Sequence, residues 1–453
     1  MIFYNALKLI FSLVLITLSL SCPFNAYAAQ EAFMFFPILP DNAQEFTEPK
    51  IIPVVSNYDF GAKQNKRALS KITRAIIAVP DETRNAGGVL RFLSELAGSA
   101  NSSTLIISPQ FMIPADLLQF DTLPAEDKKY FALWNVSDWI YGNPSVTNDA
   151  QNKLLSNMHD EQDSEDTTFI NQSLGSTTVI SSFDVIDKLA LFLAQKDVFP
   201  NLRTIIITGK GLGANFVQRY ALFTGIPEEP LLSGISINFL AVGPTSYVYP
   251  TEYRPNMYKN KLIMDGVSES GYATQCKEMN DYPYGMDNLN SYARKSGKNA
   301  SKLSYGLRAV TYVVAKGNDS VPDSGCQAML QGSSGFERGS NYQQYLSSLY
   351  GEESLTNHVF SFISGNNDAS TLYSSQCAVS VLFSNGICQN SNIDIPDAAM
   401  PDTAPSEELS EEPPPQSKVT SFIEKHGAIT YEPDTVTKKP AKSGSGYLDG
   451  LDL

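Results

Sequence analysis

Histidine is scarce in this chain of 453 residues, which contains only His159, His358 and His426. Histidine-based zinc sites are recognised by ligands a few residues apart in sequence. These three histidines lie far apart and show no such spacing. The sequence therefore argues against a multi-histidine metal centre, and we assign no metal ligands and no cofactor-binding residues.

Positive charge is also in short supply. The chain has 33 Lys and Arg against 48 Asp and Glu, a net charge of −15, and only 18% charged residues in all. This balance argues against a nucleic-acid-binding function, because phosphate contacts require a basic face, and against binding to an anionic membrane surface. The hydrophobic fraction of 42% is ordinary, so the chain can bury a core as one large domain or as two to three smaller ones.

The first residues resemble an export signal rather than part of the fold. Lys8 precedes an apolar run over residues 9–20, which is too short to span a bilayer. Ala26-Tyr27-Ala28 then supplies the small-x-small pattern of a cleavage site. We predict a signal peptide over residues 1–28 and a secreted or periplasmic protein without stable membrane insertion. Lipidation at Cys22 is the alternative, which Pro23 and the residues before Cys22 fit poorly.

Four cysteines follow the predicted cleavage site. An even number in an exported chain suggests two disulfides. Three pairings are open, and we favour Cys276–Cys326 with Cys377–Cys388, because the second closes a short loop. Free buried thiols are the alternative, which export disfavours.

Apolar β-branched runs alternate with helical stretches over residues 71–392. This alternation predicts an α/β domain with a mostly parallel central sheet covered by helices on both faces. Such a sheet binds ligands beyond the carboxyl ends of its strands. Residues 29–70 are interpreted as an extended N-terminal arm. The predicted strands cover residues 75–79, 103–108, 202–208, 234–240, 308–314 and 358–363, and the predicted helices cover residues 89–96 and 183–195.

Residues 393–453 differ from the rest in composition, being dominated by Pro, Glu, Ser, Lys and Gly. Such a segment cannot bury enough apolar surface to offset the entropy lost on ordering. It is predicted to be a disordered acidic tail. Residues 419–425 could form one short docking helix for a partner, although a plain solvated tail is the favoured interpretation.

A strand, a glycine turn and a helix meet at Thr208-Gly209-Lys210-Gly211-Leu212-Gly213-Ala214. This is the setting of a nucleophile elbow, G-x-S-x-G, in which a strained turn exposes the serine above the sheet. The central residue here is Gly211, which adopts the turn without steric cost but carries no nucleophilic atom. The segment also fits the dinucleotide fingerprint G-x-G-x-x-A loosely, but its strand comes third rather than first.

The elbow resembles that of secreted α/β-hydrolases whose motif reads G-H-S-A-G-x-Q-F-V-x-R-Y-A. The resemblance covers about Ala75 to Cys388. Further matches, in chain order, are Arg84-Asn85-Ala86, Ser181-Ser182-Phe183 through Leu202, Gly243-Pro244-Thr245-Ser246-Tyr247 with Arg254-Pro255, Asp281-Tyr282-Pro283-Tyr284-Gly285, and Gln331-Gly332 with Glu337-Arg338-Gly339 after Cys326.

The resemblance implies a serine, a histidine base and an aspartate that orients the base. Only the acid is retained on this alignment, as Asp319, whereas Gly211 occupies the nucleophile position and Asn367 the base position. The family's oxyanion loop falls at Pro80-Asp81, where a carboxylate would repel an oxyanion. The backbone N–H of Leu212 remains a candidate oxyanion donor.

Loss of both the nucleophile and the base indicates a pseudo-hydrolase that keeps a cleft for a small-molecule or protein ligand. Asparagine cannot accept a proton at pH 7, and glycine cannot form an acyl intermediate. The alternative is an active ester hydrolase with displaced catalytic residues, and the candidates are Thr208, Lys210, Ser236 and Ser320. His358 lies one strand upstream of the base position and is interpreted as a packing residue. Candidates to line the cleft are Trp139, Tyr247, Tyr249, Tyr282 and Tyr284.

Overall fold

The computed structural model describes residues 33–40, 49–60, 65–120, 128–147, 179–258, 261–265, 276–317, 323–352 and 356–384, with Cys388 and Asn390. The predicted signal peptide, the predicted tail and Asp319 lie outside these residues. Export, the tail and the position of the acid therefore remain predictions.

A mostly parallel sheet of eight strands forms the centre of the described fold, in the order β1-β2-β4-β3-β5-β6-β9-β10. β1 and β2 are antiparallel to their neighbours, and the other six strands are parallel. These six are the predicted strands, with ends within two residues of those expected. The strands are β1 (Met34–Ile38), β2 (Lys50–Ser56), β3 (Arg74–Val79), β4 (Thr104–Pro109), β5 (Thr204–Lys210), β6 (Ser236–Val242), β9 (Ala309–Ala315) and β10 (His358–Ile363).

Ten α-helices connect or flank these strands in the described residues. Short 3₁₀ helices also occur, including Asp138–Tyr141, Ile226–Glu228 and Pro230–Leu232. The α-helices are α1 (Lys66–Leu69), α2 (Ala86–Ala97), α3 (Ser182–Leu193), α4 (Leu212–Phe223), α5 (Ser291–Ser296), α6 (Lys298–Gly306), α7 (Cys326–Met329), α8 (Gly335–Tyr350), α9 (Ala369–Tyr373) and α10 (Gln376–Phe383).

The sheet is buried on both faces, as its continuous apolar runs predicted. Along β3, Ala75 and Ile77 belong to one hydrophobic cluster, whereas Ile76 and Ala78 belong to another. Successive side chains of a strand point to opposite faces, so the two clusters lie on the two sides of the sheet. Helices α3, α4 and α8 contribute to the first cluster, and α2, α9 and α10 contribute to the second. The predicted α/β architecture is confirmed.

The N-terminal arm over residues 29–70 requires correction, because it contains two strands of the main sheet. β1 pairs with β2, and β2 pairs with β4 through Val54–Ser56. Both strands contain proline: Pro37 lies on the edge strand β1, and Pro53 lies just before the residues of β2 that pair with β4. Proline is tolerated on an edge strand, as at Pro37, because its missing N–H can lie on the side that faces solvent. A second small sheet, β7 (Arg254–Tyr258) with β8 (Lys261–Asp265), was not predicted.

Both favoured cysteine pairs are at disulfide distance. The Cα atoms of Cys276 and Cys326 lie 5.8 Å apart, and those of Cys377 and Cys388 lie 4.8 Å apart. The first pair attaches the segment after β8 to the start of α7, and the second closes the chain beyond α10. These pairs indicate an oxidising environment. Within the described ranges, no helix has the length and apolarity to cross a bilayer.

Candidate functional site

The predicted elbow lies where β5 ends and α4 begins. Gly211 joins them with φ +59° and ψ −117°, a left-handed conformation that L side chains rarely adopt. A Cβ on Gly209 would stand 2.5 Å from the Gly213 carbonyl carbon, and a Cβ on Gly213 would stand 2.5 Å from the Pro80 oxygen. Only glycine fits positions 209 and 213, because the backbones of the turn, the helix and the preceding loop approach so closely.

The space in front of Gly211 faces a carboxylate. A Cβ built on Gly211 would lie 3.4 Å from Oε2 of Glu82, which is ordinary van der Waals contact. The Gly211 N–H donates to the Val242 carbonyl at 3.0 Å, which holds the turn against the end of β6. Position 211 therefore has room for a small side chain, and the neighbouring ionisable group is an exposed acid. The sequence motif did not indicate Glu82, because the path of the loop after β3 determines how close this carboxylate comes to Gly211.

The loop after β3 is held by its own polar contacts. The Asp81 carboxylate accepts hydrogen bonds from the Thr83 N–H at 3.0 Å and from the Thr83 hydroxyl at 2.6 Å. Arg84 has a positive φ of 54° and forms an ion pair with Asp116 at 3.0 Å. The loop that the resemblance assigns to the oxyanion site thus brings the Glu82 carboxylate to the elbow, whereas the Asp81 carboxylate is held by Thr83 within the loop.

Leu212, the predicted oxyanion donor, is the first residue of α4. The first four N–H groups of a helix have no acceptor within the helix, so its N–H is available in principle to a ligand. Its assignment as an oxyanion donor remains a prediction.

Asn367, at the predicted base position, packs against Gly243, the residue that follows β6. Gly243 has a φ of +59°, and a Cβ there would collide with Oδ1 of Asn367 and lie 2.8 Å from Cδ1 of Leu372. Among the described residues, this buried Oδ1 has no hydrogen-bond partner. Because β6 neighbours β5 in the sheet, the loops that carry Gly211 and Asn367 meet at the same carboxyl edge.

The predicted acid follows the neighbouring strand. The Gly317 N–H donates to the Gly365 carbonyl at 3.1 Å, so the loops after β9 and β10 are joined two residues before position 319. Asp368, next to Asn367, begins α9 and accepts hydrogen bonds from the backbone N–H and the hydroxyl of Thr371, which lower the pKa of its carboxyl. The carboxylate of Asp368 therefore serves as a helix cap.

Three polar residues of the elbow helix hold the loop over residues 244–248. Asn215 accepts from the Thr245 N–H at 2.8 Å, and Gln218 accepts from the Val248 N–H at 3.0 Å. Arg219, fully buried, donates to the Ser246 carbonyl at 3.3 Å and to the Ser246 hydroxyl at 3.1 Å. These residues belong to the motif that resembles the hydrolases, and their contacts show a structural role for them.

Later matches to the motif contact the same loop from the other side. Gln331 accepts from the Tyr247 N–H at 2.8 Å and donates to the Tyr247 carbonyl at 2.7 Å. Arg338 donates to the Thr245 carbonyl at 2.6 Å and to the Gly332 carbonyl at 2.8 Å. Buried polar groups must be satisfied in this way, so these motif residues support the loop beside the elbow.

The structure gives little support to the residues that the sequence offered as alternative nucleophiles. The Thr208 hydroxyl is buried, donates to the Leu240 carbonyl at 2.9 Å and lies 3.2 Å from the Tyr373 hydroxyl. Ser236 begins β6, at the amino edge of the sheet, whereas the elbow is at the carboxyl edge. Ser320 lies outside the described residues. Lys210 is the last residue of β5, beside the turn.

His358 is a core residue at the amino end of β10. Its Nε2 lies 2.7 Å from the Tyr305 carbonyl, and its ring stacks on that of Tyr312. Burial lowers the pKa of the imidazole to about 4, so it is neutral at pH 7. Because the elbow lies at the opposite edge of the parallel sheet, this ring cannot serve as its base.

Three of the five aromatic residues expected to line a cleft are core residues instead. Trp139, Tyr247 and Tyr249 are at most 1% exposed and lie in the first hydrophobic cluster. Tyr247 stacks on Tyr342 with ring centroids 4.3 Å apart. The expectation for these three is therefore wrong, because Trp139 packs on Phe111 and on Phe216 of α4, whereas the two tyrosines pack on Tyr342 of α8. Tyr282 and Tyr284 are partly exposed.

No protein-family model and no curated protein matches this chain. Several solved structures are similar to it at low sequence identity. The poly(3-hydroxybutyrate) depolymerase LpqC from Bordetella parapertussis is 12% identical, with a TM-score of 0.45, over 79% of this chain and 92% of that one. Poly(aspartic acid) hydrolase-1 from Sphingomonas sp. KT-1 is 13% identical, with a TM-score of 0.43, over 77% and 98%.

A third similar structure is the siderophore hydrolase EstB from Aspergillus nidulans. It is 11% identical, with a TM-score of 0.34, over 82% of this chain and 100% of that one. At these scores we transfer neither site residues nor substrates to this chain. The order and direction of the eight strands, the helices on both faces and the strand–turn–helix elbow after β5 assign the described residues to the α/β-hydrolase fold.

Proposed function

We propose that this chain is an exported protein of the α/β-hydrolase fold that has lost acyl-transfer catalysis and binds a ligand at the cleft above the elbow. The observation that carries the proposal is Gly211, which has the backbone conformation of an elbow and no side chain. Without an oxygen or sulfur at this point no acyl intermediate can form there. Asn367, at the position expected for the base, cannot accept a proton at neutral pH.

The acidic loop after β3 supports the same proposal. Catalysis of acyl transfer requires hydrogen-bond donors where negative charge develops. Here Glu82 brings negative charge to the elbow, because its Oε2 lies 3.4 Å from where a Cβ of residue 211 would stand. A carboxylate would oppose an oxyanion. It favours a ligand that presents a positive charge or a hydrogen-bond donor to the elbow.

Export is the second part of the proposal. It is supported by the apolar N-terminal run followed by Ala26-Tyr27-Ala28 and by the two cysteine pairs at disulfide distance. Disulfides persist mainly in oxidising compartments. The alternative of a working ester hydrolase with displaced residues is less favoured, because Thr208 is buried and Ser236 lies at the other edge of the sheet.

The test is ester and amide hydrolysis by the wild type beside Gly211→Ser and the double variant Gly211→Ser with Asn367→His. We expect wild-type turnover no higher than the residual of a triad knock-out, about 10³–10⁴ over the uncatalysed rate. The single variant should stay near this level, because it still lacks a base. A gain confined to the double variant would support a retained cleft that lacks only its chemistry. Wild-type turnover well above the residual would contradict the proposal.

A further inference from the structure

Glu82 is the side chain that comes closest to the vacant side of the elbow. Its Oε2 lies 3.4 Å from a Cβ built on Gly211, and among the described residues no side chain other than those of the chain neighbours comes within 4 Å of that point. Glu82 is exposed, and within the described ranges its carboxylate forms no ion pair. A group placed at the elbow therefore meets an unpaired carboxylate.

Two positive features lie near this carboxylate and have to be weighed against it. The start of α4 carries a partial positive charge of about half a unit, and Lys210 is the residue before Gly211. In the part of the chain that the structure describes, Lys210 forms no ion pair with Glu82. The full charge of Glu82 exceeds that of the helix end, and its oxygen is the charged atom nearest to position 211, so we expect a negative potential there.

The backbone around Glu82 forms a closed turn. The Arg84 N–H donates to the Asp81 carbonyl at 2.9 Å, which makes Glu82 and Thr83 the two central residues of the turn. Arg84 ends this turn with a φ of 54°, which is uncommon for a residue with a long side chain. Such a conformation persists only where the surrounding contacts enforce it.

The side-chain contact that holds Arg84 is its ion pair with Asp116. Nη2 of Arg84 lies 3.0 Å and 3.3 Å from the two carboxylate oxygens of Asp116, and the two side chains are only 16% and 15% exposed. Asp116 is fixed in turn, because it accepts a hydrogen bond from the Ile113 N–H at 2.8 Å. The ion pair therefore ties the turn after β3 to the segment that follows the neighbouring strand β4.

We propose that Glu82 makes the elbow a subsite for the ammonium or guanidinium group of a small organic cation, and that Arg84 and Asp116 are positioning residues that hold Glu82 there. The ion pair has a second effect, because it engages the charge of Arg84 and leaves the Glu82 carboxylate for the ligand. The inference rests on the proposed function in taking the elbow as a ligand cleft, and it names the chemical class of that ligand.

A thiol at the elbow measures this charge. Gly211→Cys places a sulfur beside Glu82, and the four other cysteines of the predicted mature chain are paired. Its rate of reaction at low salt is measured with aminoethyl methanethiosulfonate, a cation, and with sulfonatoethyl methanethiosulfonate, an anion. We expect a cation-to-anion rate ratio about fivefold or more above that of free mercaptoethanol, since one unit charge at roughly 4 Å in water has an effect of this size.

Two further substitutions in the Gly211→Cys background test the role of Glu82. Glu82→Gln should reduce the ratio to that of mercaptoethanol or below, because only Lys210 and the start of α4 then act on the thiol. Glu95→Gln is the matched control. It removes the same charge from an exposed position of α2 that lies roughly 13 Å along the helix from its first residue, and it should leave the ratio unchanged.

Arg84→Gly, in the same background, tests the positioning role. Glycine adopts a positive φ freely, so the turn keeps its backbone conformation while the ion pair is lost. Removal of a positive charge would by itself raise the cation-to-anion ratio. A fall of severalfold, which we expect, therefore reports that Glu82 has moved away from the elbow. Arg84→Asn serves as a second variant, because asparagine also tolerates this conformation.

The cation subsite is overturned if the thiol prefers the anion, if Glu82→Gln leaves the ratio unchanged, or if Glu95→Gln lowers it equally. The positioning role is overturned if the ratio holds or rises in both folded variants of Arg84. None of these rates involves ester turnover. Wild-type turnover would contradict the proposed function and leave the ratios as they are, so the two failures are distinguishable.

Discussion

At the scale of single residues, Gly211 and Gly243 share a φ of +59° but face different surroundings. Gly211 has 3.4 Å between a would-be Cβ and Glu82, whereas a Cβ on Gly243 would collide with Asn367 and approach Leu372 at 2.8 Å. A side chain can be restored at the elbow with backbone strain alone, typically about 1–3 kcal/mol. The residue after β6 cannot accept one without moving Asn367.

We predict that Gly243→Ala destabilises the protein by about 3 kcal/mol, measured as the free energy of unfolding in urea. The cost combines a left-handed alanine, about 1–2 kcal/mol, with overpacking, about 1–3 kcal/mol. Gly234→Ala is the matched control, because Gly234 has a φ of +80° and nothing within 4 Å of its would-be Cβ. The control should cost about 1 kcal/mol. Equal losses in the two variants would show that Asn367 does not pack on Gly243 as described.

The sequence motif singled out residues 211 and 367, because the resemblance to the hydrolases expects a serine at the first position and a histidine at the second. It could not place Glu82, since the approach of that carboxylate depends on the path of the loop after β3. It also gave no structural role to Asn215, Gln218 and Arg219. Their role appears only when the loop over residues 244–248 is folded against α4.

At the scale of elements, the buried parallel strands were the most predictable part of the fold. A run such as residues 75–79 is apolar throughout, because helices cover both faces of the sheet. The edge strand β1 and its neighbour β2 were not predicted, because residues 29–70 were interpreted as an extended arm and these strands pair antiparallel. The prediction that Tyr247 and Tyr249 line a cleft was wrong, because the sequence alone does not distinguish a tyrosine packed in the core from one exposed in a cleft.

The burial of His358 of β10 against the Tyr305 carbonyl of α6 predicts that the stability of the protein depends on pH. Burial lowers the pKa of His358 to about 4, against 6.5 for an unfolded histidine. Between these values the unfolded chain binds a proton that the folded chain does not, so stability is complete above pH 6.5 and is lost as the pH falls. This one group should remove about 2 kcal/mol between pH 7 and pH 5.

The measurement is the free energy of unfolding in urea at pH 7 and pH 5 for the wild type and for His358→Gln. Other groups titrate in both proteins, so the difference between the two pH dependences isolates His358. The wild type should lose about 2 kcal/mol more than the variant over this interval. Parallel losses would mean that the imidazole can be protonated in the folded state and is not buried against Tyr305.

At the scale of the whole molecule, the two edges of the sheet carry different features. The carboxyl edge gathers Gly211, Asn367 and the loop after β3 with Glu82, whereas the amino edge carries the buried His358 against the Tyr305 carbonyl. The polar side chains that hydrogen-bond to residues 244–248 stabilise the fold. This structural role does not depend on catalysis, so it explains why the rest of the motif is present around an elbow that has no nucleophile.

The central claim, an elbow without a nucleophile, is tested most directly by a fluorophosphonate, which reacts covalently with the activated serine of a serine hydrolase. Intact-mass spectrometry would follow the full chain and the Gly211→Ser, Asn367→His double variant after treatment with this reagent. The account predicts no adduct on the wild type and a single adduct on the double variant, mapped to residue 211. A stoichiometric adduct on the wild type, at any residue, would show a working nucleophile and contradict it.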